Sequence, residues 1–158
     1  ALDMLRQARR VMLIGIGASG LVAKDFSFKL LKIGVMAVAE PDMHVQLAAV
    51  QALDKRDLLL AISFSGERRE INLAAEEARQ AGARVLALTS FSPNGLQQRA
   101  DHCLYTIAEE PHTRSASISS STAQYALTDL LFMALIQHDL DHARDRIKHS
   151  EQLMKKLV

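Results

Sequence analysis

The stretch Leu58-Leu59-Leu60-Ala61-Ile62-Ser63-Phe64-Ser65-Gly66-Glu67-Arg68-Arg69-Glu70 passes from an unbroken apolar run into two hydroxyls and a glycine, and then into charge. Apolar residues without alternation predict a strand covered on both faces, as in a parallel sheet. From Glu67 to Ala81, Ile71, Ala74, Ala75 and Ala78 recur at helical spacing. Ser63, Ser65 and Gly66 therefore fall where a strand ends and a helix begins. Such a junction presents backbone N–H groups, the positive end of a helix dipole and hydroxyl donors, a combination suited to phosphate. Gly66 lets the backbone come close to a ligand. The alternative is that Ser65 or Gly66 is only a helix N-cap.

A second junction of the same kind lies upstream. Val11 to Ile16 is another apolar run, followed by Gly17-Ala18-Ser19-Gly20 and a helix from about 21 to 33 on which Val22, Phe26, Leu30 and Ile33 share one face. The glycines resemble half of a dinucleotide fingerprint, but no acidic residue clearly ends the second strand, and Glu40 stands only near the position of a ribose partner. A serine in this first turn fits a small phosphorylated ligand better than a pyrophosphate.

Apolar runs recur at about 11–16, 34–39, 58–63, 84–89 and 102–107, with helical patterns between them. Alternation of this kind predicts an α/β fold, a parallel sheet with helices on both faces and right-handed crossovers. Gly82 suits a helix C-cap, and Pro93-Asn94-Gly95 marks a turn before a short helix. Ligands of such sheets bind beyond the carboxyl ends of the strands, where both serine loops fall.

The two loops resemble the SIS (sugar isomerase) domain, whose first turn reads G-x-G-x-S and whose phosphate loop reads S-x-S-G-x-[TS]. Here they stand as Gly15-Ile16-Gly17-Ala18-Ser19 and Ser63-Phe64-Ser65-Gly66-Glu67-Arg68. Arg68 takes the place of the usual Thr or Ser, and a guanidinium can itself reach a phosphate. Residues 27–34, 42–46 and 122–132 are similar to the effector half of RpiR-type transcription regulators. The resemblance implies a three-layer α-β-α sandwich on a five-stranded, flavodoxin-like parallel sheet. It implies one domain over residues 1–158, with a DNA-binding helix-turn-helix module outside them. The ligand it implies is an aminosugar 6-phosphate such as N-acetylmuramic acid 6-phosphate, and the assembly a homodimer or higher oligomer.

Further ligand contacts follow from the same resemblance. Gly17, Ser19, Ser63, Ser65, Gly66 and Arg68 surround the phosphate. His44 matches a ligand-contacting histidine between the two serine loops, although Asp42 capping a helix with His44 in its first turn accounts for the same residues. In the polar segment 108–121, Glu110 would accept from sugar hydroxyls, and Arg114 with a serine would close over the ligand. The serines there also serve as N-caps for the helix predicted over about 121–137.

Composition narrows the class. The chain has 158 residues, 49% of them apolar, enough for one buried core. Nineteen basic against eighteen acidic residues leave a net charge of +1, which gives these residues no footprint for direct nucleic-acid binding. No apolar run approaches the roughly 18 residues of a membrane span, and no signal peptide is evident, so a cytoplasmic protein is expected. Cys103, the only cysteine, reads as a small core residue. No histidine, cysteine or carboxylate spacing suits a metal, and no cofactor is expected. The last helix, from about 138, carries Leu140, Ala143, Ile147, Met154 and Leu157 in a stripe that packs on its own domain or on a second subunit.

Three functional classes remain: a sensor, an enzyme, and a degenerate structural dimer module with no ligand. A sensor needs only hydroxyls, N–H groups, one acid and one base. An isomerase or etherase needs a positioned acid–base pair, for which Glu110 with His44 or Glu67 is the available choice.

Overall fold

β3, Leu58–Ile62, is buried at all five positions, and its side chains divide between the two faces of the sheet. Leu58, Leu60 and Ile62 enter one core while Leu59 and Ala61 enter the other. This is why the run is apolar without alternation: neither face meets water. A computed structural model of the chain describes residues 1–109 and 117–157.

The elements are α1 (Leu2–Gln7), β1 (Val11–Gly15), α2 (Ala18–Lys32), β2 (Ala37–Ala39), α3 (Met43–Val50), β3, α4 (Arg69–Gln80), β4 (Arg84–Ser90), β5 (His102–Thr106), α5 (Ile118–His138) and α6 (Leu140–Lys155). All strand pairs are parallel, in the order β2-β1-β3-β4-β5. The expected flavodoxin-like sandwich is what the chain forms. A 3-10 turn at Gln97–Arg99 follows Pro93-Asn94-Gly95, as the turn signal predicts.

One face is covered by α2, α5, α1 and α6 around Phe26, Leu30, Leu13, Leu131 and Leu135. On the other face, α4 brings Ile71, Ala74, Ala75 and Ala78 against Met12, Ile14 and Val85. Its alanines let α4 lie close to the sheet, and each larger side chain buried there is worth about 1.5–3 kcal/mol. Within α6, Ala143 is buried and Ile147 packs against the first core. Leu140, Met154 and Leu157 of the same stripe remain exposed.

One helix escapes the sequence pattern: α1 has six residues, too short for a helical period to declare itself. α3 has eight, and only its capped start was legible. α3 begins with Asp42 as N-cap, its Oδ1 accepting from the His44 and Val45 N–H groups at 2.8 and 3.2 Å. At the opposite end of the sheet from the serine loops, buried Asp57 accepts from Arg9 Nε at 3.0 Å and Nη2 at 2.8 Å. Arg10 adds an ion pair at 3.1 Å.

Candidate functional site

β1 and β3 are neighbours whose chains depart to opposite sides, toward β2 and β4, so a crevice opens at their carboxyl ends. Gly15 pairs with Ile62, and the residues that follow, Ile16 and Ser63, leave the sheet side by side. β1 then turns into α2 and β3 into α4. A cavity of about 80 Å³ lies between the two turns, lined by Ile16, Ala18, Ser19, Ser63, Phe64, Ser65 and Arg68, and by Ser117 and Ser120 from the start of α5.

Hydroxyls dominate that lining. Ser63 is buried, and Ser65 and Arg68 are exposed at the mouth. Two helix N-termini adjoin the cavity, and neither the Gly17 nor the Arg68 cap supplies a side-chain acceptor to its first turn. Their dipoles place partial positive charge there. Hydroxyl donors, helix N-termini and a guanidinium, with no carboxylate among the described lining residues, are chemistry that suits an anion.

Ser65 Oγ also accepts from the Glu67 N–H at 3.3 Å, closing a turn before α4. The N-cap of α4 is Arg68, so neither Ser65 nor Gly66 is the cap. Gly66 has φ of +65° and does not line the cavity. A Cβ there would fall inside the Asn94 carboxamide. Gly66 packs closely against Asn94.

Gly17 also stands outside the serine cavity. It lines a neighbouring hollow of about 180 Å³ with Gly15, Gly20, Leu21, Lys24, Ala39, Glu40 and Pro41. Gly15, Gly17 and Gly20 complete the G-x-G-x-x-G spacing, so the fingerprint is whole where only half was expected. Packing explains its first and third glycines. A Cβ on Gly15 would lie 2.6 Å from the Ser19 carbonyl oxygen, and one on Gly20 would lie 3.0 Å from that of Gly15. Gln46 of α3 braces this turn, donating from Nε2 to the Gly15 and Glu40 carbonyls at 3.3 and 2.6 Å.

His44 is exposed in the first turn of α3, and the serine cavity is not lined by it. Phe64 is half-buried and belongs to the lining. Its carbonyl accepts from the Ser90 N–H and from Thr89 Oγ1, tying the loop to β4. Glu110 and Arg114 lie outside the described residues. Glu67 accepts from the Gly95 N–H at 2.9 Å. Cys103 is half-buried against the second core, and burial pushes its thiol pKa up, as for an inert packing residue.

Three side chains that the sequence did not single out hold the site. Asn94 is buried and donates to Thr89 Oγ1 at 3.1 Å. Asn72 Nδ2 donates to the Gly66 carbonyl at 3.1 Å. Gln124 of α5 is buried and accepts from Ser19 Oγ at 3.1 Å. A sequence signal for the last exists: Ser120, Gln124 and Thr128 repeat at i, i+4 and i+8 and are all buried. A polar stripe turned inward on a helix needs partners. Among the described residues, no group of His, Cys, Asp and Glu could hold a metal ion, and no helix is long and apolar enough to cross a membrane.

A family model described as SIS domain matches residues 4–134. The chain is 65% identical over 155 residues to YfhH of Escherichia coli (strain K12), an uncharacterized HTH-type transcriptional regulator. That alignment covers 98% of this chain and 55% of the relative, so the chain spans about half the length of the regulator it matches. Among solved structures it is similar to the Vibrio vulnificus NanR protein complexed with ManNAc-6P, with a TM-score of 0.91 at 24% identity over 99% of this chain and 59% of that one. The sugar isomerase domain of an RpiR transcription factor from Sphaerobacter thermophilus gives 0.82 at 20% identity, over 96% and 83%. A phosphoheptose isomerase from Francisella tularensis gives 0.68 at 23% identity, over 86% and 82%. Regulators and enzymes thus share this fold.

Proposed function

The chain belongs to the SIS domain family, and on that footing we propose that it is the effector-binding domain of a transcription regulator, sensing a phosphorylated aminosugar without turning it over. The observation that carries this reading is the convergence of Ser19, Ser63, Ser65 and Arg68 on one cavity at the ends of β1 and β3. Hydrogen bonds to a charged group contribute about 1.5–3 kcal/mol each, so three or four around a phosphate outweigh the cost of immobilising a small ligand. The similarity to an HTH-type regulator nearly twice as long supports a sensor joined to a DNA-binding module outside these residues.

Beyond the phosphate, Glu110 and Arg114 close over the sugar and His44 contacts it from the side of α3. The ligand is an aminosugar 6-phosphate, N-acetylmuramic acid 6-phosphate or a close relative. The NanR structure, similar in fold and complexed with ManNAc-6P, supports the aminosugar class. The domain works in the cytoplasm as a homodimer or higher oligomer.

Incubation with glucosamine, N-acetylmannosamine, muramic acid and arabinose phosphates, followed by NMR and calorimetry, tests the proposal. Binding of an aminosugar 6-phosphate below millimolar with no turnover is the expected result. Turnover abolished by Glu110→Gln would establish the isomerase or etherase alternative. Absence of binding by every sugar phosphate would refute a sensor of this class.

A further inference from the structure

As placed, the Ser19 hydroxyl donates its one proton to Gln124 Oε1, at 3.1 Å. A hydroxyl so engaged offers an anion only lone pairs, which phosphate repels. The other end of the same carboxamide is unsatisfied. Gln124 is 1% exposed, and its Nε2 is enclosed with no hydrogen-bond partner among the described residues. A buried donor without an acceptor is uncommon and calls for an explanation.

Both facts are resolved by one motion. Turned by half a circle about its terminal bond, the carboxamide points Nε2 at Ser19 Oγ. The amide then donates to the hydroxyl, and the hydroxyl proton is released for an oxygen in the cavity that Ser19 lines. The buried donor gains an acceptor, and the acceptor left in its place is the less costly group to leave unpaired. We infer that Gln124 is a positioning residue that sets the direction of the Ser19 hydroxyl proton, directing it into the cavity when an anion is bound.

The surroundings favour a relay over a packing role. Gln124 sits one turn beyond Ser120, which also lines the cavity, and one turn before Thr128, whose Oγ1 donates to the Tyr125 carbonyl at 2.9 Å. α5 lies against α2 along this stripe, and Lys29 of α2 pairs with Asp129 of α5 beside it. Helix register is therefore held by contacts other than the Gln124 carboxamide. An apolar side chain would fill the same volume without an orphan donor; the carboxamide contributes a hydrogen-bond direction.

This inference rests on the serine cavity being the anion seat, and the experiment separates the two. Inorganic phosphate is titrated by NMR into the wild-type chain, Ser19→Ala, Gln124→Met and Gln124→Leu, and the double variant Ser19→Ala/Gln124→Met, with melting curves for each. Gln124→Leu is uncharged and deletes both donor and acceptor, so it remains informative if Gln124→Met does not fold. Ser19→Ala and Gln124→Met are each expected to weaken phosphate binding at least fivefold, and the double variant to bind no more weakly than the poorer single one. Gln124→Leu is expected to lose as much as Gln124→Met. Wild-type phosphate binding that Gln124→Leu and Gln124→Met leave unchanged, or losses that multiply in the double variant, would overturn the relay while leaving the site in place. No phosphate binding by the wild type would refute both.

Discussion

The Asn94 carboxamide occupies the space in which a side chain on Gly66 would stand, so the loop after β3 and the loop after β4 are shaped by each other. Gly66 holds φ of +65°, its carbonyl accepts from the Leu96 N–H at 3.0 Å, and Glu67 accepts from the Gly95 N–H at 2.9 Å. The serine loop is thus set from outside the cavity.

Gly66→Ala tests that relationship. Left-handed backbone costs an alanine about 1 kcal/mol, and overpacking against Asn94 adds about 1–3 kcal/mol. Chemical denaturation should show a loss of about 2–4 kcal/mol. A loss under 1 kcal/mol would mean that the loop is not built on this contact.

The two loop serines should behave differently. Ser63→Ala is expected to weaken sugar-phosphate binding by about 1–3 kcal/mol with little change in stability, the usual cost of losing a hydrogen bond to a charged group. Ser65→Ala should weaken binding similarly and also cost about 0.5–1.5 kcal/mol of stability, because its Oγ accepts from the Glu67 N–H. Calorimetry and denaturation on the same samples separate the two effects.

Around Asp57, stability should depend on pH. Burial pushes its pKa up, but hydrogen bonds from Arg9, the Asp54 N–H and Arg10 more than offset this and hold the carboxyl below its usual range. A depressed folded pKa means that the contribution is complete above the unfolded value of about 3.9. It is lost as pH falls through the folded value. Asp57→Asn should destabilise by about 1–3 kcal/mol at pH 7. The lower end is favoured because Arg9 and Arg10 are 42% and 37% exposed. Melting curves from pH 7 to pH 2 should show the wild type and variant converge in acid; a constant gap would contradict the assignment.

His44 and its cap are separable. Asp42→Ala should cost about 0.5–2 kcal/mol of stability, the usual range for an N-cap. His44→Ala should leave stability within about 0.5 kcal/mol, as for an exposed position, and weaken binding of the full sugar phosphate but not of inorganic phosphate. Equal binding by His44→Ala and the wild type would remove His44 from the ligand contacts.

Most of the sheet was legible because parallel strands buried on both faces must be apolar throughout, and Leu58–Ile62 shows this in five consecutive residues. The serine loops were legible because strand-to-helix turns fall at one edge of such a sheet. α1 was not, being shorter than the window in which a helical period is visible, and α3 was legible only through its Asp42 cap. Asn94, Gln46 and Gln124 were hidden for another reason: their contacts with Gly66, Gly15 and Ser19 join residues distant in sequence. Gln124 meets Ser19 across 105 positions. Gly66 also packs against a loop 28 positions on, a constraint that its local sequence does not show.

Amide-resolved NMR titration with an aminosugar 6-phosphate, beside the same sugar without its phosphate, tests the central claim most directly. The account predicts that the phosphorylated sugar alone shifts the amides of Ala18, Ser19, Ser65, Arg69 and Glu70 at the starts of α2 and α4, and that Ser63→Ala suppresses those shifts. Shifts centred instead on Gly20, Lys24 and Glu40, or shared by the unphosphorylated sugar, would contradict it.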